Sequence, residues 1–239
     1  MGMSIRVLQL LGVAGFVVLL TSGCATAGPL QTELQTVALG GAESVRVEMI
    51  IGGGALLVRG GAENLMEADF AYRHQSWKPQ VEYTVAGREG SLSIRQSPTL
   101  AIVPSGSLPA RWDVRLNSDV PMSLNIALGG GGGDLELGDL NLSRLDIKFG
   151  AGGANIALDG DWERDLEASI SGGVGGVKLT LPSDVGVRVE ADTGLGSVDA
   201  RDFHKEGDVY TNDAYGRSDV TLNVRIQVGV GGMELILAD

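Results

Sequence analysis

Reactive side chains are scarce in this chain of 239 residues, which holds a single cysteine, Cys24, and two histidines, His74 and His204. A lone cysteine forms no intramolecular disulfide, and neither histidine has the i, i+4 partner that builds a zinc site. Serines are plentiful, but no Gly-x-Ser-x-Gly elbow pairs with a histidine base. Carboxylates remain. Asp199, Asp202, Asp208 and Asp213 lie close in sequence, and two such groups facing each other across a cleft are what a glycosidase uses. On a chain of formal net charge −12, however, acids are expected everywhere, so carboxylates alone specify little. The polar, turn-rich stretch 202–218 offers a candidate ligand or partner loop in Tyr210, Asn212, Asp213 and Tyr215, since loops on rigid scaffolds often carry function. The same tyrosines could equally cap the last repeat by packing.

Glycine clusters invite a phosphate-loop assignment, but such loops lead from a strand into a helix. Here Gly172 to Gly176 leads into the alternating Val177-Lys178-Leu179-Thr180-Leu181. Neither the glycine tract ending at Asp134 nor Asp159-Gly160-Asp161 brings the remaining ligands of a calcium loop. The residues therefore imply no cofactor and no metal.

The N-terminal residues carry Arg6, an apolar run from Val7 to Leu20, and small residues just before Cys24, which is the layout of an export signal. A membrane-spanning helix needs about 20 apolar residues, and this run breaks at Thr21. Thr21-Ser22-Gly23-Cys24 resembles the lipobox of a bacterial lipoprotein signal peptide. The resemblance implies cleavage between Gly23 and Cys24 and a diacylglyceryl group on the Cys24 thiol. With Ala25 rather than aspartate next, it further implies the outer membrane in a Gram-negative organism.

Acidity excludes another class of partner. Nucleic-acid binding needs a basic face that displaces counterions from phosphates, and no lysine or arginine cluster exists. The same charge repels anionic headgroups, so any membrane attachment must come through lipid.

Glycine supplies 37 of 239 residues, about twice the usual ~7%, yet 44% of the chain is hydrophobic and alternates with polar residues in run after run. That period belongs to half-buried strands; helical periodicity is missing, so the class is all-β. A strand-like run, a glycine cluster and a second alternating run recur at residues 124–137, 145–158 and 166–181, and more weakly at 187–200 and 222–237. Equivalent positions at Gly132, Gly153, Gly176, Ser197 and Gly232 are separated by 21, 23, 21 and 35 residues. The first three steps match a solenoid rung, and the last contains an insertion. A β-solenoid-like array is favoured on this period; the alternative is a β-sandwich of antiparallel hairpins with glycine turns.

Four regions follow: a signal peptide over 1–23, a tether over 24–43, an N-terminal β segment over 44–120, and a glycine-rich repeat domain over 121–239. Residues 43–54, 56–65, 76–83 and 91–96 resemble the N-terminal part of the bacterial toast-rack domain of unknown function (DUF2154-like), and the glycine repeats look like its continuation. This resemblance implies kinship with adhesin-like and envelope stress-response β-repeat domains, and brings no catalytic residues. Two functions stand side by side: a non-enzymatic, lipid-anchored envelope module contacting a protein or a surface polymer, and an envelope glycan hydrolase using paired carboxylates.

Overall fold

The computed structural model describes residues 29–96 and 110–238. The strands in the first part are β1 (Gln31–Val37), β2 (Ser44–Ile51), β3 (Gly54–Arg59), β4 (Met66–Tyr72), β5 (Pro79–Ala86) and β6 (Glu89–Gln96). The second part adds β7 (Ala110–Leu116), β8 (Met122–Glu136), β9 (Leu142–Ala157), β10 (Leu166–Val174), β11 (Val177–Leu181) and β12 (Gly186–Leu195). It ends with β13 (Val198–Ala200), β14 (His204–Glu206), β15 (Val209–Thr211), β16 (Thr221–Val230) and β17 (Met233–Leu237). A short 3-10 turn at Gln75–Trp77 is the only helical element among the described residues.

Period-two alternation decides which face each strand buries. Val45, Val47, Met49 and Ile51 of β2 are buried, as are Leu124, Ile126 and Leu128 of β8 and Leu222, Val224, Ile226 and Val228 of β16. These side chains join one continuous apolar cluster. Each repeat forms a rung of two strand segments meeting at a glycine corner, and rungs stack by parallel, in-register pairing. Two walls result, a first from the strands before the corners (β2, β10, β12, β16 and the starts of β8 and β9) and a second from those after them (β3, β11, β13, β17 and the ends of β8 and β9), each giving its apolar face to the shared core. The fold is β-solenoid-like; parallel pairing between rungs rules out the sandwich of antiparallel hairpins.

The corners explain the glycine content. Stacked backbones approach closely there: a Cβ on Gly131 would overlap the Gly54 carbonyl oxygen, one on Gly152 that of Gly131, and one on Gly175 that of Gly152. The column continues through Gly231 and Gly196. Gly152 and Gly175 also have φ of 130° and 146°, a region open to glycine and closed to residues with a side chain.

Rung order in space departs from rung order in sequence. Val45 to Arg59 lies between β8 on one side and the β6 and β7 strands on the other. At the opposite end, β16 sits between β10 and β12, and β17 between β11 and β13. The 221–237 rung is thus inside the stack, where the repeat steps predict it last. No break in the sheet falls at residue 120, because β2 and β3 form a rung continuous with the later repeats.

Antiparallel strands close the stack at one end and cover one of its two walls at the other. β5 pairs with β6, β4 with β7, and β1 with β4. β1 lies within the stretch read from sequence as a tether. It turns Glu33 inward, where the carboxylate meets Lys78 at 2.8 Å and accepts a hydrogen bond from Tyr72 at 3.2 Å. Hydrogen bonding from Lys78, then from Gln35, holds the Glu33 carboxyl below its ordinary range. An inward-pointing charge of this kind suits an edge strand. At the other end the β14–β15 hairpin covers β12.

Candidate functional site

The stretch after β13 divides the four predicted loop residues into two pairs. Tyr210 is only 4% exposed and belongs to the core; Lys205 Nζ lies 5.1 Å from its ring centre. Asn212 is 3% exposed. Its Oδ1 accepts from the Val187 amide at 2.9 Å, and its Nδ2 donates to the Val185 carbonyl at 2.7 Å, with the Ser183 and Pro182 carbonyls at 3.3 and 3.4 Å. These two residues fasten the hairpin to the turn before β12 and are not available to a ligand. Asp213 and Tyr215 stay on the surface. Asp213 Oδ1 is 2.6 Å from His204 Nε2, and that hydrogen bond, with the imidazole's charge, draws the Asp213 carboxyl below its ordinary range. Removing the buried amide leaves the Val187 N–H and the Val185 carbonyl without it. We expect Asn212→Ala to cost about 2–3 kcal/mol, read as a lower thermal midpoint with the β-sheet signature unchanged below it.

Each of the four candidate acids has its own local setting. Asp199 pairs with Arg201 at 3.2 Å. Asp202 occupies a tight turn with φ 68°, Asp208 gives its carbonyl to the Ala191 amide in the hairpin turn, and Asp213 meets His204. A glycosidase acid needs a carboxyl raised by burial, whereas every described carboxylate with a resolved shift, Glu33, Glu67, Glu190 and Asp213, moves down.

Larger hollows lie elsewhere. One of about 540 Å³ runs along the return turns between rungs, beside Ser118, Asp119, Asp139, Asn141, Asp161 and Trp162. Another, about 230 Å³, opens on the outer face of the first wall among Arg144, Glu167, Arg188, Glu190, Asn223 and Arg225. There Arg225 and Arg188 stand 3.2 and 3.5 Å from Glu190 and hold its carboxyl below the ordinary range, Arg225 contributing more. On the second wall a hollow of about 590 Å³ follows Asp134, Asn155, Lys178 and Glu234 across four rungs. Sequence reasoning missed these outward rows. Their signal is the polar member of each alternating pair, repeated at the rung period.

The histidines have local roles. His74 Nδ1 lies 2.6 Å from Ser76 Oγ and accepts from the Ser76 amide at the start of the 3-10 turn. Among the described residues, no three of His, Cys, Asp and Glu are grouped to hold a metal ion. Gly23 and Cys24 lie outside the described residues.

Parallel rungs, glycine corners and capping antiparallel strands can be compared with known proteins. Residues 26–180 match the family described as the N-terminal domain of toast_rack, DUF2154. The chain belongs to the toast-rack family. A crystal structure of a candidate cell adhesion protein from Clostridium sporogenes is 31% identical, covers 88% of this chain and all of its own, and superposes with a TM-score of 0.85. A candidate adhesin from Bacteroides fragilis is 12% identical over 87% of this chain and 97% of its own, at a TM-score of 0.31. No curated protein matches. In this toast-rack chain the outer faces repeat regularly from rung to rung. Rungs repeat about every 4.8 Å, and charges on those faces form pairs such as Arg46–Glu89, Arg95–Glu48 and Arg225–Glu190.

Proposed function

We propose that this toast-rack chain is a non-enzymatic envelope module, anchored through lipid on Cys24, which presents its rung faces to a surface polymer or an envelope protein, with adhesion or envelope stress response as its setting. The observation that carries the binding role is the likeness to the candidate cell adhesion protein of Clostridium sporogenes, at 31% identity over 88% of this chain. The scattered acids and locally engaged histidines agree with it. Anchoring rests on Thr21-Ser22-Gly23-Cys24 after the apolar run, and no helix among the described residues is long and apolar enough to cross a membrane. An outer-membrane location follows from Ala25 where the host has that membrane.

Fractionation of cells carrying the Cys24→Ser variant tests the anchor. We expect the variant to leave the membrane fraction while its β domain melts as the parent does. A variant that stays with the membrane overturns anchoring through Cys24. Hydrolysis of envelope glycan by the purified chain, lost on replacing one of its acids, would overturn the non-enzymatic assignment.

A further inference from the structure

One edge of the stack differs from the rest in chemistry. The six corners are Gly52-Gly53-Gly54, Gly129-Gly130-Gly131, Gly150-Ala151-Gly152, Gly173-Val174-Gly175, Gly229-Val230-Gly231 and Gly194-Leu195-Gly196, in their order along the stack. Every flanking glycine except Gly52 is fixed by backbone contact, but the middle residue projects. It changes from Gly and Gly through Ala to Val, Val and Leu. Val174, Val230 and Leu195 are 56%, 43% and 71% exposed and pair in register on adjacent rungs. No triplet contains a charged residue, on a chain that has 18 basic and 30 acidic ones. A solvated corner would accept a polar residue at no packing cost, so three stacked aliphatic side chains call for a partner.

The chain leading from Cys24 enters at the same edge. Gln31 pairs with Tyr72, Tyr72 with Ala110, and the Ala110 carbonyl abuts Gly54 at its corner. Leu30, just before β1, is 57% exposed. From Leu30 back to Cys24 is at most about 20 Å of extended chain. Across the second wall β1 and β13 are the two ends of the stack, roughly 38 Å apart at the usual strand spacing.

We propose that this corner edge lies against the bilayer that holds the Cys24 lipid, with the Val174, Val230 and Leu195 ridge as a second contact far from the anchor. Two contacts at opposite ends of one edge set the stack axis parallel to the membrane and turn the return loops outward. The acidic wall faces stay in water, the corner triplets bring no charge to desolvate, and the 73–78 turn on the same edge carries basic side chains, Arg73 and Lys78. A second copy of the chain is the poorer occupant. Three side chains fall far short of the ~800 Å² per partner of a stable protein interface, whereas an anchored chain needs no independent affinity.

This inference rests on the Cys24 anchor, and the test separates the two. The full lipidated protein is incorporated into phosphatidylcholine vesicles with a polarity-sensitive fluorophore on Leu195→Cys or Val174→Cys, or on Asp139→Cys at the opposite edge; acylation blocks Cys24. Bilayer-borne nitroxide lipid is expected to quench the Leu195 and Val174 sites at least twofold more than the Asp139 site, and aqueous iodide to do the reverse. Equal quenching at the two edges in protein that floats with the vesicles overturns the orientation and leaves the anchor standing. Protein that does not float overturns the anchor, and the orientation with it. Unchanged melting of each variant confirms that the fold is intact.

Discussion

A chain ending at Ser218 will not fold. In a solenoid stacked in sequence order, losing the last rung exposes its neighbour and leaves the rest standing. Here the loss of β16 and β17 removes one of the two parallel partners of β10 and β11 and the only parallel partner of β12 and β13. It also removes Leu222, Val224, Ile226, Val228, Met233 and Leu235 from the core. At about 1.5–3 kcal/mol for each buried side chain, six of them amount to the order of a domain's whole stability. The expected result is loss of the cooperative thermal transition and rapid proteolysis of the whole chain. A truncated chain melting within a few degrees of the parent would contradict the interior placement of this rung.

The second large effect is at Gly175. Even Gly175→Ala, with a single added methyl group, meets two obstacles: a φ of 146° and the Gly152 carbonyl oxygen in the neighbouring rung. Backbone strain in that region costs about 1–3 kcal/mol, and relieving the overlap forces two paired rungs apart. We expect a total of at least about 3 kcal/mol, a fall in melting temperature of roughly 10 °C for a chain of this size. Gly132→Ala is the matched control. Gly132 is in the same repeat motif, but nothing lies within 4 Å of its added Cβ and its φ is not left-handed. Alanine there should melt at the parent temperature or slightly above, because it restricts the unfolded chain. If both variants melt alike, close approach is not what fixes the corner glycines.

Much of this architecture is legible in the sequence because the same physics acts on every rung. Alternation marks the walls, and the recurrence of glycine marks the corners. Rung order is not legible, for the same reason: parallel in-register pairing places one alternating pattern beside another, and nothing local in 221–237 distinguishes an inner rung from an outer one. β1 escapes a hydrophobicity argument altogether, since it turns Glu33 inward and leaves Leu34 78% exposed; pairing to β4 holds it in place. Asn212 shows the limit at the candidate loop. In a polar, turn-rich stretch it reads as a surface group, yet its carbonyl partners are contributed by residues 182–185. Only the closed fold brings them together.

The interior position of the first and last rungs also bears on how such an array can change in length. Duplicating the 221–237 rung at the C-terminus adds no rung to an end of the stack, since that rung sits between 166–181 and 186–200. New rungs must enter between 122 and 181, where neighbours in sequence are neighbours in space. The C-terminal half must also wait for residue 237 before its native order can close.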